Sequence, residues 1–95
     1  MPNADAALDH ARDLIARHPL IDGHNDLPWV IRIDSDAAGD VDKARLDEAR
    51  QGRDTDIPRL KAGGLAAQFW AAFIPTDVPH PARTTLEQNY LIRRL

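Results

Sequence analysis

The sequence predicts an α/β fold built around two parallel strands. Three observations predict it. Two short apolar runs, Leu20-Ile21 and Leu65 to Ile74, read as strands. They are separated by a long stretch with helical patterns rather than by a tight turn, as a parallel βαβ crossover requires. Amphipathic helical patterns flank the pair on both sides, the arrangement from which layered α/β domains are assembled.

The first element is a helix from Ala4 to Arg17. Asn3 is suited to cap it, Asp5 suits the dipole in its first turn, and Pro19 ends it. Ala7, Leu8, Ala11, Leu14 and Ile15 recur at helical spacing and form one apolar face. Leu20 to His24 then reads as a strand with a polar end. Pro28 fits the first turn of a short helix capped by Asp26. Asp34 to Asp54 is rich in Asp, Gly and Arg, and predicts an excursion loop with one helical turn near Val41–Ala49.

Thr55 to Gly63 predicts a short helix capped by Thr55, with Pro58 in its first turn and Gly63 at its end. Leu65 to Ile74 (LAAQFWAAFI) predicts a buried strand, although a continuous apolar run also permits a helix. Pro75, Pro79 and Pro81 mark a loop. Thr84 and Glu87 match a capping box, so the last helix is expected to start there, with Leu86, Tyr90, Leu91 and Leu95 on its apolar side. Parallel sheets are normally covered on both faces. Two strands with open edges therefore point to part of a larger fold.

Composition bounds the function. The 95 residues carry 12 basic and 15 acidic side chains, a net charge of −3, with no basic stripe, so nucleic acid is not an expected partner. The absence of cysteine excludes a disulfide framework and a thiolate metal site. Asp5, Asp9 and Asp13 interrupt the start where a secretory signal would be apolar. No run reaches the roughly 20 apolar residues of a membrane span. The expected location is cytoplasmic.

The chemistry concentrates at residues 22 to 26. Side chains two apart on a strand share a face, so Asp22, His24 and Asp26 line up if the strand persists that far. Zinc accepts a His nitrogen and an Asp oxygen at about 2.0–2.2 Å, and strand ends are where barrel enzymes build their sites. The bare His-x-Asp pattern is common, however. His24 can simply bond Asp26 or a backbone group, and Asn25 and Asp26 can be helix-capping residues. Asp22 fits either an orienting or a purely structural role.

The run from Leu20 to Trp29 (LIDGHNDLPW) closely resembles the opening of the membrane (renal) dipeptidase family. A second, independent match follows at Thr55 to Gly64 and Gln68-Phe69-Trp70. The resemblance implies a (β/α)8 TIM-type barrel of the amidohydrolase kind, of which residues 1–95 are the N-terminal, incomplete part; a full barrel needs ~250 residues. It implies a zinc metallopeptidase hydrolysing dipeptides by a metal-bridged hydroxide. Of the two zinc ions in the family's site, His24 and Asp26 fall on one half-site. The bridging glutamate and the further histidines have no counterpart here, and no catalytic residue is assigned within these positions.

The implied partner is a dipeptide substrate, and a homo-oligomer of the full-length enzyme is admitted. The 95 residues alone are expected to be inactive. The alternative is a non-catalytic binding or assembly module derived from such an enzyme.

Other residues carry weaker readings. Trp29 and Trp70 are expected in the core rather than in a pocket. Gln68 can serve a site or satisfy a backbone group. His10 and His18 are read as surface residues and His80 as a loop residue. Asp36, Asp40, Asp42 and Asp47 lack the spacing of a calcium loop and are read as solvated.

Overall fold

The computed structural model describes residues 3–95. In chain order it contains α1 (Ala4–Arg17), β1 (Leu20–Asn25), α2 (Leu27–Ile33), α3 (Val41–Ala44), α4 (Ile57–Ala62), β2 (Leu65–Trp70) and α5 (Pro81–Arg94). β1 and β2 pair in parallel, with Leu20 opposite Leu65, Asp22 opposite Gln68 and Asn25 opposite Trp70. The α/β class and the parallel pair expected from the sequence are thus present.

α1 forms where its caps dictate. Asn3 accepts a hydrogen bond from the Asp5 backbone N–H, and the His18 N–H closes the last turn on Leu14. Its apolar stripe has little to pack against: no α1 residue is buried, and Leu8 and Leu14 stay exposed. One point of contact with the rest of the chain is Ile15, which lies over Gly64. A Cβ at Gly64 would stand 2.8 Å from Ile15 Cγ2, and φ there is +77°, so both space and backbone conformation call for glycine.

The core lies on the other side of the molecule. Leu27, Ile31, Ala37, Ala44 and Leu91 are buried together, with Val41, Leu46, Trp70 and Leu95 packed around them. It joins α2, the 34–54 excursion and α5. Arg53 ties the excursion down. Its side chain is nearly buried, donating to the Asp34 carboxylate at 3.2 Å and to the Ala44 carbonyl. Asp34 also accepts the Ala37 and Asp36 N–H groups at 2.8 Å; these bonds, then Arg53, hold its carboxyl below the ordinary 3.8. Across the α2–α5 contact, Arg32 pairs with Glu87 at 2.7 Å. The fully buried Gln88 accepts from Arg32 through Oε1, while its Nε2 has no partner among the described residues.

Four boundary expectations are corrected. Asp56, not Thr55, caps α4. Its buried carboxylate accepts the Arg59 N–H at 2.8 Å and the Arg59 guanidinium at 2.5 Å. Burial alone would raise the Asp56 carboxyl, but the Arg59 bonds and charge outweigh it and the net shift is downward.

β2 stops at Trp70 rather than Ile74. β1 ends at Asn25, and once Ala71 has donated to the Asn25 carbonyl there is no further strand to pair with. α5 starts at Pro81, three residues before the expected capping box. Proline at the first helical position gives up an N–H that would have had no partner. Thr84 is instead buried and donates to the Pro79 carbonyl, and Glu87 turns to Arg32 and Arg83. The helical turn of the excursion, α3, ends at Ala44 because Arg45 takes a left-handed φ of +53°.

On α5, Leu91 is buried as expected, but Leu86 and Tyr90 are exposed. The Cα radius of gyration is 16.4 Å, against about 12 Å for a compact domain of this length. The molecule is elongated, with its core at one side and a bare sheet at the other.

Candidate metal half-site at the end of the first strand

The site is built where β1 runs into α2. The strand expectation holds to Asn25, but the pairing register slips between Asp22 and Asn25, and Asp26 lies beyond the strand in a turn conformation. Strict strand alternation therefore does not align Asp22, His24 and Asp26. The structure brings two of them together: His24 Nε2 lies 2.9 Å from Asp26 Oδ1.

Asp22 goes elsewhere. Its carboxylate accepts from Gln68 Nε2 at 3.0 Å and from the His24 backbone N–H at 3.3 Å. Those two bonds, Gln68 first, hold its carboxyl below the ordinary 3.8. Asp22 thus fixes the backbone that carries His24 and does not face the pair.

Asp26 was expected to cap α2, in competition with ligation. The structure separates these tasks. Asp26 makes no side-chain cap bond; Asn25 Oδ1 accepts the Leu27 N–H at 2.9 Å. The Asn25 amide donates to Thr55 Oγ1 at 3.2 Å and to Gln68 Oε1 at 3.3 Å. Thr55 and Gln68 therefore both serve this corner. Gln68, left open between a site role and a backbone role, also reaches the Asp22 and Phe69 carbonyls.

An open cavity of about 400 Å³ receives the pair. It is lined by His24, Asn25, Asp26, Leu27 and Val30 on one side and by residues 52–55 on the other. The contribution of Gly52 and Asp54 to its wall had no signal in the sequence, because the excursion returns to the strand end only through tertiary contacts. Trp29 is half-buried, with its ring edge-to-face on Phe73 at a centroid distance of 6.1 Å, and Trp70 packs against the core. Neither tryptophan lines this cavity.

His10, His18 and His80 are exposed, and His80 sits at the start of α5. Asp40 caps α3, while Asp42 and Asp47 pair with Arg94 and Arg45. A larger groove of about 700 Å³ lies between the excursion and α5. Its three arginines are each engaged by a carboxylate, Arg32 and Arg83 by Glu87 and Arg94 by Asp42, and neither His24 nor Asp26 lines it.

The pair fits a divalent cation in donor chemistry. One imidazole nitrogen and one carboxylate oxygen face each other, and their side chains are 65% and 45% exposed, enough for an ion to reach them. Ligand atoms around a tetrahedral zinc lie roughly 3.4 Å apart at ordinary bond lengths, a half-ångström spread from the hydrogen-bonded distance. The hydrogen bond and a metal bond use the same Nε2 atom, so they are alternative states of one pair. Among the described residues no group of three His, Cys, Asp or Glu side chains converges, so the pair is at most half of a complete coordination shell.

Comparison with known proteins identifies the family. Residues 8–95 match the model of the membrane dipeptidase family, peptidase family M19. The chain is 41% identical to Dipeptidase ataJ of Aspergillus terreus, over 98% of its own length and 24% of that protein's. It is 38% identical to Dipeptidase 3 of Mus musculus, over 92% of its own length and 17% of that protein's. The chain thus spans a quarter or less of the length of these curated relatives. With the family model covering nearly all its residues, and these relatives matching along almost its whole length, this chain belongs to the membrane dipeptidase family.

Proposed function

We propose that the polypeptide carrying this chain is a zinc-dependent dipeptidase in which His24 and Asp26 supply two ligands of one metal ion. The observation that carries the reading is the 2.9 Å approach of His24 Nε2 to Asp26 Oδ1 in an open cavity at the end of a parallel strand. Family membership supports the reaction class. These 95 residues would form the N-terminal part of a single barrel domain, β1 and β2 being two of its parallel strands. The remaining ligands would come from other parts of the polypeptide.

Zinc bound there would lower the pKa of water and polarise the peptide carbonyl. The chain's own residues supply the rest. β1 delivers His24 to the strand end. Asp22 fixes the His24 backbone through its N–H. The α2 turn sets Asp26 opposite the imidazole, and the loop at 52–55 walls the cavity in which a dipeptide would lie.

The test is metal content and hydrolysis of a simple dipeptide such as Ala-Ala by the polypeptide as expressed from its gene. Chelation should abolish turnover and zinc should restore it. His24→Ala and Asp26→Ala should each lower bound zinc and turnover by at least about 100-fold, the scale on which metal sites respond even to outer changes. Chelator-insensitive hydrolysis, or full zinc retention by His24→Ala, would refute the reading. The uncovered sheet supports a second reading, a non-catalytic module that docks on a partner. Metal retention with no dipeptide turnover would select that one.

A further inference from the structure

We propose that Asn25 is the positioning residue of the His24–Asp26 pair: its side-chain oxygen, on the Leu27 N–H, holds the turn that sets the Asp26 carboxylate facing the imidazole. The inference rests on the metal reading above.

The first N–H groups of a helix have no acceptor within the helix, and the residue just before it ordinarily supplies a side-chain oxygen. Asp26 occupies that place before α2 and is well suited to the task, yet its carboxylate makes no cap bond. The acceptor comes from one residue earlier, Asn25 Oδ1 to the Leu27 N–H at 2.9 Å. Pro28 has no N–H to offer, so the demand of the first turn is small, and the Trp29 N–H closes on the Asp26 carbonyl at 3.0 Å.

Asn25 is itself held from two further elements. Its amide nitrogen donates to Thr55, just before α4, and to Gln68 on β2. Gln68 is anchored in turn on Asp22 of β1 at 3.0 Å. An asparagine is required by this count: its oxygen is used on α2 and its nitrogen on Thr55 and Gln68, which one hydroxyl or one carboxylate cannot do together. The result is a fixed amide one residue from each member of the pair. Without the Asn25 oxygen, the Leu27 N–H loses its acceptor and the turn that sets the Asp26 carboxylate opposite His24 is no longer held.

The experiment compares wild type, Asn25→Ala, Asn25→Ser and His24→Ala in the polypeptide as expressed. Zinc affinity is read by competition with a chromogenic chelator. Site geometry is read from the visible spectrum of the cobalt-substituted protein, and folding from a thermal melt. Asn25→Ala should weaken zinc binding by about 10–100-fold and alter the cobalt spectrum, at temperatures where the melt shows it folded. Asn25→Ser keeps an oxygen able to accept the N–H two residues on and should recover most of the affinity.

Unchanged affinity in folded Asn25→Ala would overturn the proposal. So would an Asn25→Ser variant as weak as Asn25→Ala, because the cap oxygen would then not be the cause. If His24→Ala binds zinc as wild type does, the metal reading itself fails. That result is separate from any failure of Asn25.

Discussion

Two regions of this chain stand in contrast. On one side α2, the 34–54 excursion and α5 bury Leu27, Ile31, Ala37, Ala44 and Leu91 against one another. On the other, β1, β2 and α1 contain no buried residue, and Ile21 and Phe69 are exposed on the sheet. The difference teaches that backbone pairing and side-chain burial are satisfied separately here. A parallel pair can close its ladder with one neighbour, but its faces need layers that these residues do not supply. The candidate site lies on the seam, anchored by the packed side and displayed by the bare one.

The sharpest way to break the comparison is to truncate one side chain in each region. Ile31→Ala should cost about 2–5 kcal/mol, since Ile31 is fully buried in the core. Ile21→Ala, at a position 54% exposed in these 95 residues, should stay within about 0.5 kcal/mol if the sheet is bare and should approach the Ile31 cost in the barrel proposed above, where other elements cover it. Chemical denaturation of both variants in the expressed polypeptide decides it. An equal cost at the two positions would mean that further polypeptide covers the sheet, and would turn the contrast into a measure of that cover.

A smaller effect is expected where the bare side is tied to α1. Gly64→Ala should cost about 1–2 kcal/mol for the positive φ alone, with an added clash against Ile15. Hydrogen exchange should show α1 opening first. Protection of α1 unchanged in this variant would mean that another contact docks the helix.

The smallest effect concerns the packed side and pH. Asp34, Asp56 and Glu87 have carboxyls held below their ordinary values of 3.8, 3.8 and 4.5. A carboxyl lowered by folding contributes stability fully present above its ordinary pKa, and that stability is lost as pH falls through it toward the folded value. The melting temperature should therefore be level above about pH 5 and decline below it. Asp34→Asn keeps the oxygen that accepts the Asp36 and Ala37 N–H groups but loses the charge opposite Arg53. It should melt lower than wild type at pH 7, with the gap narrowing as pH falls below 3.8. A gap of constant size across that range would show that the charge of Asp34 is not what matters.

Much of this was legible from residue types. α1 starts and stops at Asn3 and Pro19 because a short polar cap and a ring without an N–H act locally. The LIDGHNDLPW run marked the strand, the turn, the following helix and the His24–Asp26 pair together. What could not be read were choices between equivalent neighbours. Thr55 and Asp56 are both good caps, and the chain uses Asp56 because Arg59 can bond the same carboxylate. Asn25 and Asp26 are both good caps, and Asn25 is chosen because Thr55 and Gln68, distant in sequence, hold its amide. The end of β2 at Trp70 depended on where its partner strand ran out.

By itself, then, the sequence determined the helices, the two strands, their parallel class and the family, because spacing, prolines and short polar caps act within a few residues. Only the tertiary structure decided which of two adjacent polar side chains caps and which faces the imidazole. It also decided which apolar faces find cover, and that the loop at 52–55 closes over the strand end. Those outcomes depend on partners tens of residues away, whose positions are set by packing rather than by local preference.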